Sequence, residues 1–323
     1  MKPYQTTCIL ISLCFFLTGC PSKNSRSDKL ILADASIVWW MAPAIIAKEH
    51  NLYSKNNVNV RSFSTQTGLA SMNAVLSGDA DVGLVATSPL SINAFKNDSL
   101  VVLCSYIDSK SLIAAITPKS AKNSTAFLQP VAVVKNTISE FYLYNYLKKY
   151  SPEIDYKKLN KLNVMPANIS NTILKKSAQS AVIWEPFATL IANKDSNVNI
   201  VRDTNIYDHR IYIVTRRSVL RAKSQALIKF VTSIGQACSI LNTEQGEKEI
   251  LDDFPLQKKS ISELYPKVNF SLKFDFEKMK TLILADAQTA YELGITPKNN
   301  AGSPEQLSLK EIKYFDRDFN FKP

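Results

Sequence analysis

The sequence predicts an α/β protein of two similarly built lobes with a cleft between them. Three observations carry that expectation. From Leu30 onward, short apolar runs alternate with helix-patterned stretches, which is the grammar of βαβ units in a mainly parallel sheet. Two distant segments, NAVLSGDADVGLVAT and NTILKKSAQSAVIWEP, repeat one order of helix, polar turn, apolar strand and polar exit. The chain has 323 residues, 46% hydrophobic and 21% charged, enough apolar material for roughly two domains of about 150 residues each.

Each element has a local reason. Leu30–Ala33 reads as a short strand with a turn at 34–36, and a helix-like stretch follows over 40–50. Val58–Phe63 alternates as a strand, 64–68 is a polar turn, and 69–76 a helix. Val82–Ala86 reads as a buried strand, followed by a helix opened by Ser88-Pro89, where proline at the first helical position costs nothing. Strand-like runs over 100–107 and 112–117 close the first half, and a polar stretch over 118–125 separates it from the second. There, 131–134, 162–165 and 181–184 read as strands, interleaved with helical stretches over 140–150, 169–176 and 186–192. A strand over 211–215 then leads to helices over 224–241, 244–251 and 276–293. The expected organisation is a first lobe over 30–116, a second over 117–209, and a return to the first lobe with C-terminal helices over 210–323.

The N-terminus reads as a targeting segment. Lys2 supplies a positive start and Ile9 to Leu17 an apolar run of nine residues, too short to span a bilayer, which takes about 20 helical residues. It ends Leu17-Thr18-Gly19-Cys20, an arrangement that resembles a bacterial lipobox and implies cleavage before Cys20 and lipid on its sulfur. Residues 1–19 are then signal peptide and 20–29 a lipidated tether of polar composition. Stable anchoring takes at least two acyl chains, which a lipoprotein linkage supplies. The localisation expected is the bacterial cell envelope, on the extracytoplasmic face of a membrane.

Composition excludes several classes. The formal charge is +11, from 39 Lys+Arg against 28 Asp+Glu, but no basic run interleaves with aromatics and the N-terminus reads as an export signal, so no nucleic-acid partner is expected. No glycine-rich phosphate loop is present. With His50 and His209 the only histidines, no histidine-rich metal site and no cofactor are expected. Nothing marks a nucleophile or acid–base pair, so no catalytic residue is assigned. Of five cysteines, Cys104 and Cys238 lie in the mature lobes in apolar settings and read as buried thiols.

In open α/β sheets, ligands bind outside the carboxyl ends of the strands. The residues there are hydroxyls, amides and helix N-termini, which suit a small anionic or polar ligand. The candidates are Trp39 and Trp40 after the first strand, Gln66, Thr67 and Gly68 after the second, Ser88 after the third and Tyr106 after the fourth. In the second lobe they are Thr137, Ser139, Trp184 and Glu185. All three tryptophans fall at strand exits, where an indole offers a broad apolar face and one donor. Each hydroxyl also serves as an ordinary helix cap, and Glu185 serves equally as a dipole partner for the helix behind it. On the cleft reading, Glu185→Ala and Trp39→Ala weaken ligand binding and leave the stability of the unliganded protein nearly unchanged.

Several segments carry a family resemblance. APAIIAKEHNLYSKNNVNV with ASMNAVLSGDADVGLVATSP resembles the first lobe of the nitrate/sulfonate/taurine-type solute-binding proteins, the extracytoplasmic receptors of ABC importers, whose relatives bind hydroxymethylpyrimidine thiamine precursors. VAVVKNTISEFYLYNYLKKY resembles their second-lobe strand, turn and helix, and AVIWEPFA their W-[ED]-P turn, over residues 30 to about 255. The resemblance implies a type II periplasmic-binding-protein fold closing by hinge motion on a small solute, a permease and its ATPase as partners, and a monomer. It also implies that the loop after the first strand and the turns at Thr67-Gly68, Ser88, 137–139 and WEP line the cleft. LKKSAQSA replaces the usual Gly-x-x-Asp before WEP. No guanidinium stands at a proposed exit, so the tryptophan pair and Glu185 suit a heterocycle or amine-bearing solute somewhat better than an oxyanion. The alternatives are a small-molecule lyase or dehydratase on the same fold, against which stand the export signal and the missing acid–base cluster, and a ligand-sensing lipoprotein.

Overall fold

A computed structural model describes residues 28–35, 37–94, 100–121 and 127–296. The expected signal peptide, Cys20 and most of the tether lie outside the described residues, as do 297–323.

The chain opens with strand β1 (Lys29–Asp34), a 3-10 turn (Trp39–Met41), helices α1 (Pro43–Glu49) and α2 (Leu52–Lys55), and strand β2 (Asn59–Ser64). Helix α3 (Gly68–Ser77), strand β3 (Val82–Ala86), helix α4 (Thr87–Ala94) and strand β4 (Leu100–Ser109) follow. Next come β5 (Ile113–Pro118), β6 (Val131–Val133), α5 (Ile138–Tyr150), β7 (Lys161–Asn163), α6 (Pro166–Leu174), β8 (Ser180–Trp184), α7 (Phe187–Lys194) and β9 (Val198–Val201). The chain ends in β10 (His209–Arg216), α8 (Arg217–Leu241), α9 (Glu244–Asp253), α10 (Lys258–Leu264), β11 (Asn269–Lys273) and α11 (Phe276–Glu292).

These strands form two sheets. The first runs β11-β4-β10-β3-β1-β2 and the second β7-β6-β8-β5-β9. Apart from the edge strand β11, the orders correspond: β2-β1-β3-β10-β4 in one lobe matches β7-β6-β8-β5-β9 in the other. The two sequence segments that echo each other are α3–β3 and α6–β8, equivalent positions in the two lobes.

Both sheets are mixed rather than mainly parallel. β1 pairs in parallel with β2 and β3, and β6 with β7 and β8, while β10 and β5 run antiparallel to both their neighbours. The reason is the path of the chain. It leaves the first lobe through β4 and re-enters through β10, and a strand arriving from the other lobe runs opposite to β3. The run over 112–117, grouped by sequence with the first half, is β5 and pairs with β8 and β9 of the second sheet. Two connections therefore join the sheets, one between Ser109 and Ile113 and one between Val201 and His209.

Local chemistry explains the boundaries near the junction. Thr67 caps α3 by accepting from the Ala70 amide, and Gly78 ends that helix at φ +96°, a left-handed position that suits glycine. In the second lobe Thr137 caps α5 by accepting from the Ser139 amide. β3 is buried along nearly all its length, as expected of a strand covered on both faces. One face of the first sheet packs against α1 and α8, burying Leu84, Cys104, Tyr106, Ile211 and Ile213. The other packs against α3, α4 and α11, burying Val85, Tyr212 and Val214. The expected helix over 40–50 is split, because Trp39–Met41 turns as a 3-10 segment and Pro43 starts α1 afresh. Cys104 and Cys238 are both free and buried.

Candidate functional site

The carboxyl ends of β1 and β3 face the second lobe together with the start of β10. Gly68 approaches the exit of β3 so closely that a Cβ there would lie 3.3 Å from the Ala86 amide nitrogen. That approach brings the capping Thr67 beside the start of α4, where Thr87 and Ser88 lie. Thr65 locks the β2 exit to β1, its amide and hydroxyl both donating to the Asp34 carbonyl at 2.6 and 2.9 Å.

In the second lobe, Ser139 ties three elements together. Its hydroxyl donates to the Val182 carbonyl of β8 at 2.6 Å and accepts from the Val134 amide at 3.0 Å. Thr137 donates to the Val134 carbonyl at 2.7 Å. Glu140 accepts from the Asn136 amide and from the Tyr156 hydroxyl, which fixes the turn over 135–139.

The lobes meet at Glu185, which directly follows β8 and is joined to Pro186 by a cis peptide bond. Its side chain is completely buried. One carboxylate oxygen accepts from the Arg202 guanidinium, through Nε at 3.1 Å and through Nη2. The other accepts from the Thr189 amide at 3.1 Å and from the Ser260 hydroxyl of α10 at 3.2 Å. The Glu185 carbonyl accepts the indole N–H of Trp40 at 2.8 Å. Trp39 reaches the same residue indirectly, because its indole N–H donates to Ser260 Oγ at 3.1 Å. Lys259 adds a second bond from α10 to the other lobe by donating to Asn193 of α7 at 2.8 Å. Bonds from the 3-10 turn and α10 of the first lobe thus converge on one residue of the second.

The sequence candidates separate in this geometry. Trp39, Trp40 and Glu185 are brought together at the junction. Trp39 is fully buried, stacked on Tyr265 with ring centroids 5.9 Å apart. Trp184 ends β8 with its ring edge toward Phe187. Thr67, Gly68 and Ser88 group at the first-lobe exits, with Gln66 exposed beside them. Thr137 and Ser139 are buried in turn-stabilising bonds. Tyr106 lies inside β4 rather than at its exit, because that strand continues to Ser109; its hydroxyl meets the Met41 sulfur at 3.5 Å within the core. The expectation that Trp39→Ala and Glu185→Ala spare the unliganded fold does not survive this geometry, since one ring is wholly enclosed and the carboxylate holds a buried ion pair.

Three residues of the junction had no place in the sequence reading of the cleft. Ser260 sits on α10 and Arg202 just past β9, two elements without a clear sequence signature. His209 begins β10, two residues before the strand that the sequence places over 211–215. The imidazole is buried at 1% exposure, its ring meeting Trp40 edge-on with centroids 5.2 Å apart. Burial pushes its pKa down to about 3, so it is neutral. His50 is different, bonded on the surface to Glu249 at 2.8 Å.

Chemically, the junction offers aromatic surface, hydroxyls and a neutral imidazole, with its guanidinium committed to Glu185. Among the described residues, no three His, Cys, Asp or Glu side chains group to hold a metal, and no helix is long and apolar enough to cross a membrane.

Comparison with known proteins agrees with this architecture. A family model described as NMT1/THI5-like matches residues 40–245. No curated protein matches the sequence significantly. The periplasmic aliphatic sulphonate binding protein SsuA from Escherichia coli superposes with a TM-score of 0.70 at 16% identity, covering 84% of this chain and 94% of that one. The Candida albicans CA3427 gene product, described as having the generic periplasmic binding protein fold, gives 0.65 at 17% identity over 83% and 91%. The periplasmic nitrate-binding protein NrtA from Synechocystis PCC 6803 gives 0.63 at 13% over 84% and 83%. The fold is therefore that of the periplasmic binding proteins.

Proposed function

The chain belongs to the NMT1/THI5-like family, and we propose that it is the extracytoplasmic solute-binding component of an ABC importer. In this reading, the lobes carrying the two sheets rotate about the 109–113 and 201–209 connections and close on a small polar solute. The observation that carries it is the convergence of Trp40, Ser260 and Arg202 on Glu185. Apolar packing runs on from one lobe to the other, and the two lobes of corresponding topology are tied at this residue by a few directed hydrogen bonds. Contacts of that kind open and close at modest cost, since each neutral hydrogen bond contributes only about 1 kcal/mol net. Structural neighbours that bind sulfonate and nitrate support the transport class.

The solute is of the sulfonate, nitrate or taurine kind, or a pyrimidine-type thiamine precursor, with a heterocycle or amine favoured because Arg202 is spent on Glu185. Cys20 is the lipid attachment point, and the partners are a permease with its ATPase and the membrane that holds the lipid. The protein acts as a monomer and performs no chemistry on its solute.

The test is a titration followed by tryptophan fluorescence and calorimetry, after denaturing and refolding to strip carried-over ligand. The compounds are nitrate, taurine, longer alkanesulfonates, hydroxymethylpyrimidine and related heterocycles. Saturable binding of one class supports the receptor reading, and failure of all of them rejects it. Mass spectrometry of the N-terminal peptide tests Cys20 separately, where an unmodified thiol removes the anchor.

A further inference from the structure

His209 stands at the lobe junction outside the hydrogen-bond network that centres on Glu185. It is 1% exposed, and neither ring nitrogen has a hydrogen-bond partner. Burying an imidazole without satisfying either nitrogen is expensive. Its ring stands perpendicular to that of Trp40, at 88° with centroids 5.2 Å apart, and Trp40 is the residue that bonds across to the second lobe. A second observation comes from an adjacent strand. Ala86 of β3 pairs with Ile211 of β10 in antiparallel register. Ser88, in the first turn of α4 two residues past Ala86, and His209, two residues before Ile211, therefore lie at the same end of the β3–β10 pair. The Ser88 hydroxyl is also completely buried and without a partner.

We propose that His209, with Ser88 beside it, is the polar pole of the solute site and reads a solute edge carrying a hydrogen-bond donor next to an acceptor. The inference rests on the receptor reading above. A neutral imidazole offers one N–H and one lone pair, and a hydroxyl offers both functions. The lowered pKa agrees with the neutral form. An oxyanion supplies acceptors alone, so it would answer the N–H and leave the opposite lone pair buried and unmet. An amide or amino-heterocycle edge answers both. Trp40 would then cover the solute beside the imidazole, and lobe closure would keep water from both nitrogens.

The chain contains two histidines, which makes a direct test available. The protein is labelled with 15N at histidine, and its imidazole signals are followed as 4-aminopyrimidine, hydroxymethylpyrimidine, ethanesulfonate and nitrate are added. His50, surface-paired to Glu249, is the internal control. The expected result is that an aminopyrimidine moves the His209 signals saturably, leaves those of His50 in place, and binds His209→Phe at least about tenfold more weakly by calorimetry. Binding of any probe with unmoved His209 signals overturns the inference and leaves the receptor reading standing, whether or not the variant folds. Binding confined to ethanesulfonate or nitrate overturns the donor–acceptor assignment. If no compound in this set or in the titration above binds the wild-type protein, the receptor reading falls and the inference with it.

Discussion

The indole N–H of Trp40 donates to the main-chain carbonyl of Glu185 at 2.8 Å, a bond that joins the first lobe to the second. Its neighbour Trp39 reaches the same residue through Ser260, which donates to the Glu185 carboxylate. Two consecutive side chains thus converge on one partner by separate routes. A pair of adjacent tryptophans at a strand exit is costly to enclose unless both N–H groups are satisfied, and Glu185 with Ser260 satisfies both.

The direct bond should control how far the unliganded lobes stay closed. Trp40→Phe keeps an aromatic ring but removes the donor, at a cost of about 1 kcal/mol. The expected outcome is a larger radius of gyration for the unliganded variant in small-angle X-ray scattering, with a melting temperature lowered only slightly. An unchanged radius would show that closure rests on other contacts, such as Lys259 to Asn193.

Glu185→Ala should act mainly on stability. The Arg202 side chain is 19% exposed and its partner carboxylate is wholly buried, so removing the acid strands a largely enclosed guanidinium. Breaking such a pair from one side costs about 3–5 kcal/mol. Arg202→Met in the Glu185→Ala background should recover part of the loss, because the stranded charge goes with it. Chemical denaturation of both single variants and the double variant measures the coupling. Additive effects would mean that the two residues do not act as a pair.

Much of this arrangement is legible in the sequence, and the illegible part has a physical cause. Trp39, Trp40 and Glu185 were recognisable because they follow strongly apolar strands, whose ends locate the cleft in any open α/β sheet. Ser260 and Arg202 belong to segments with weak patterns, whereas His209 lies two residues before the strand that the sequence places over 211–215. β9 and β11 are short, with most residues only half-buried, so their apolar alternation does not stand out from turn. Tyr106 was misplaced for a related reason, since β4 continues past its apolar run to Ser109 along β10. The antiparallel placement of β10 was also beyond local reading, because direction within a sheet depends on the route between lobes. What a residue bonds to across the junction is tertiary information. Trp39 looks the same in sequence whether it faces a solute or Tyr265.

Cys104 and Cys238 should behave as inert thiols. Both are buried, and burial raises each thiol pKa far above its ordinary value, so the reactive thiolate is scarce. An aromatic disulfide reagent at pH 8 should leave both unmodified in the folded protein and titrate both in 6 M guanidinium. Fast labelling of either in the native state would contradict the packing of β4 against α8.

Asp286 supplies a pH dependence of stability with a definite sign. Its carboxyl on α11 is buried and accepts from the Tyr207 hydroxyl in the second connection between the lobes. Burial raises its pKa to about 7, with the Tyr207 bond acting in the opposite direction. The unfolded value is about 3.9, so the folded state binds the extra proton between those limits. Its contribution to stability is therefore complete below about pH 4 and is lost as pH rises to about 7. Other carboxylates act in the reverse sense, such as Glu292, lowered to about 2 despite its burial by bonds to Lys148, Tyr144 and Gln288. A wild-type profile alone would mix the two. The difference between wild type and Asp286→Asn isolates the group, because the amide keeps an acceptor for Tyr207 and does not titrate. Between pH 4 and 7 the variant should gain on wild type by an amount on the order of 1–4 kcal/mol, flat on either side of that window. Denaturant melts at five pH values measure it, and a constant difference across the window would mean that Asp286 stays charged in the folded protein.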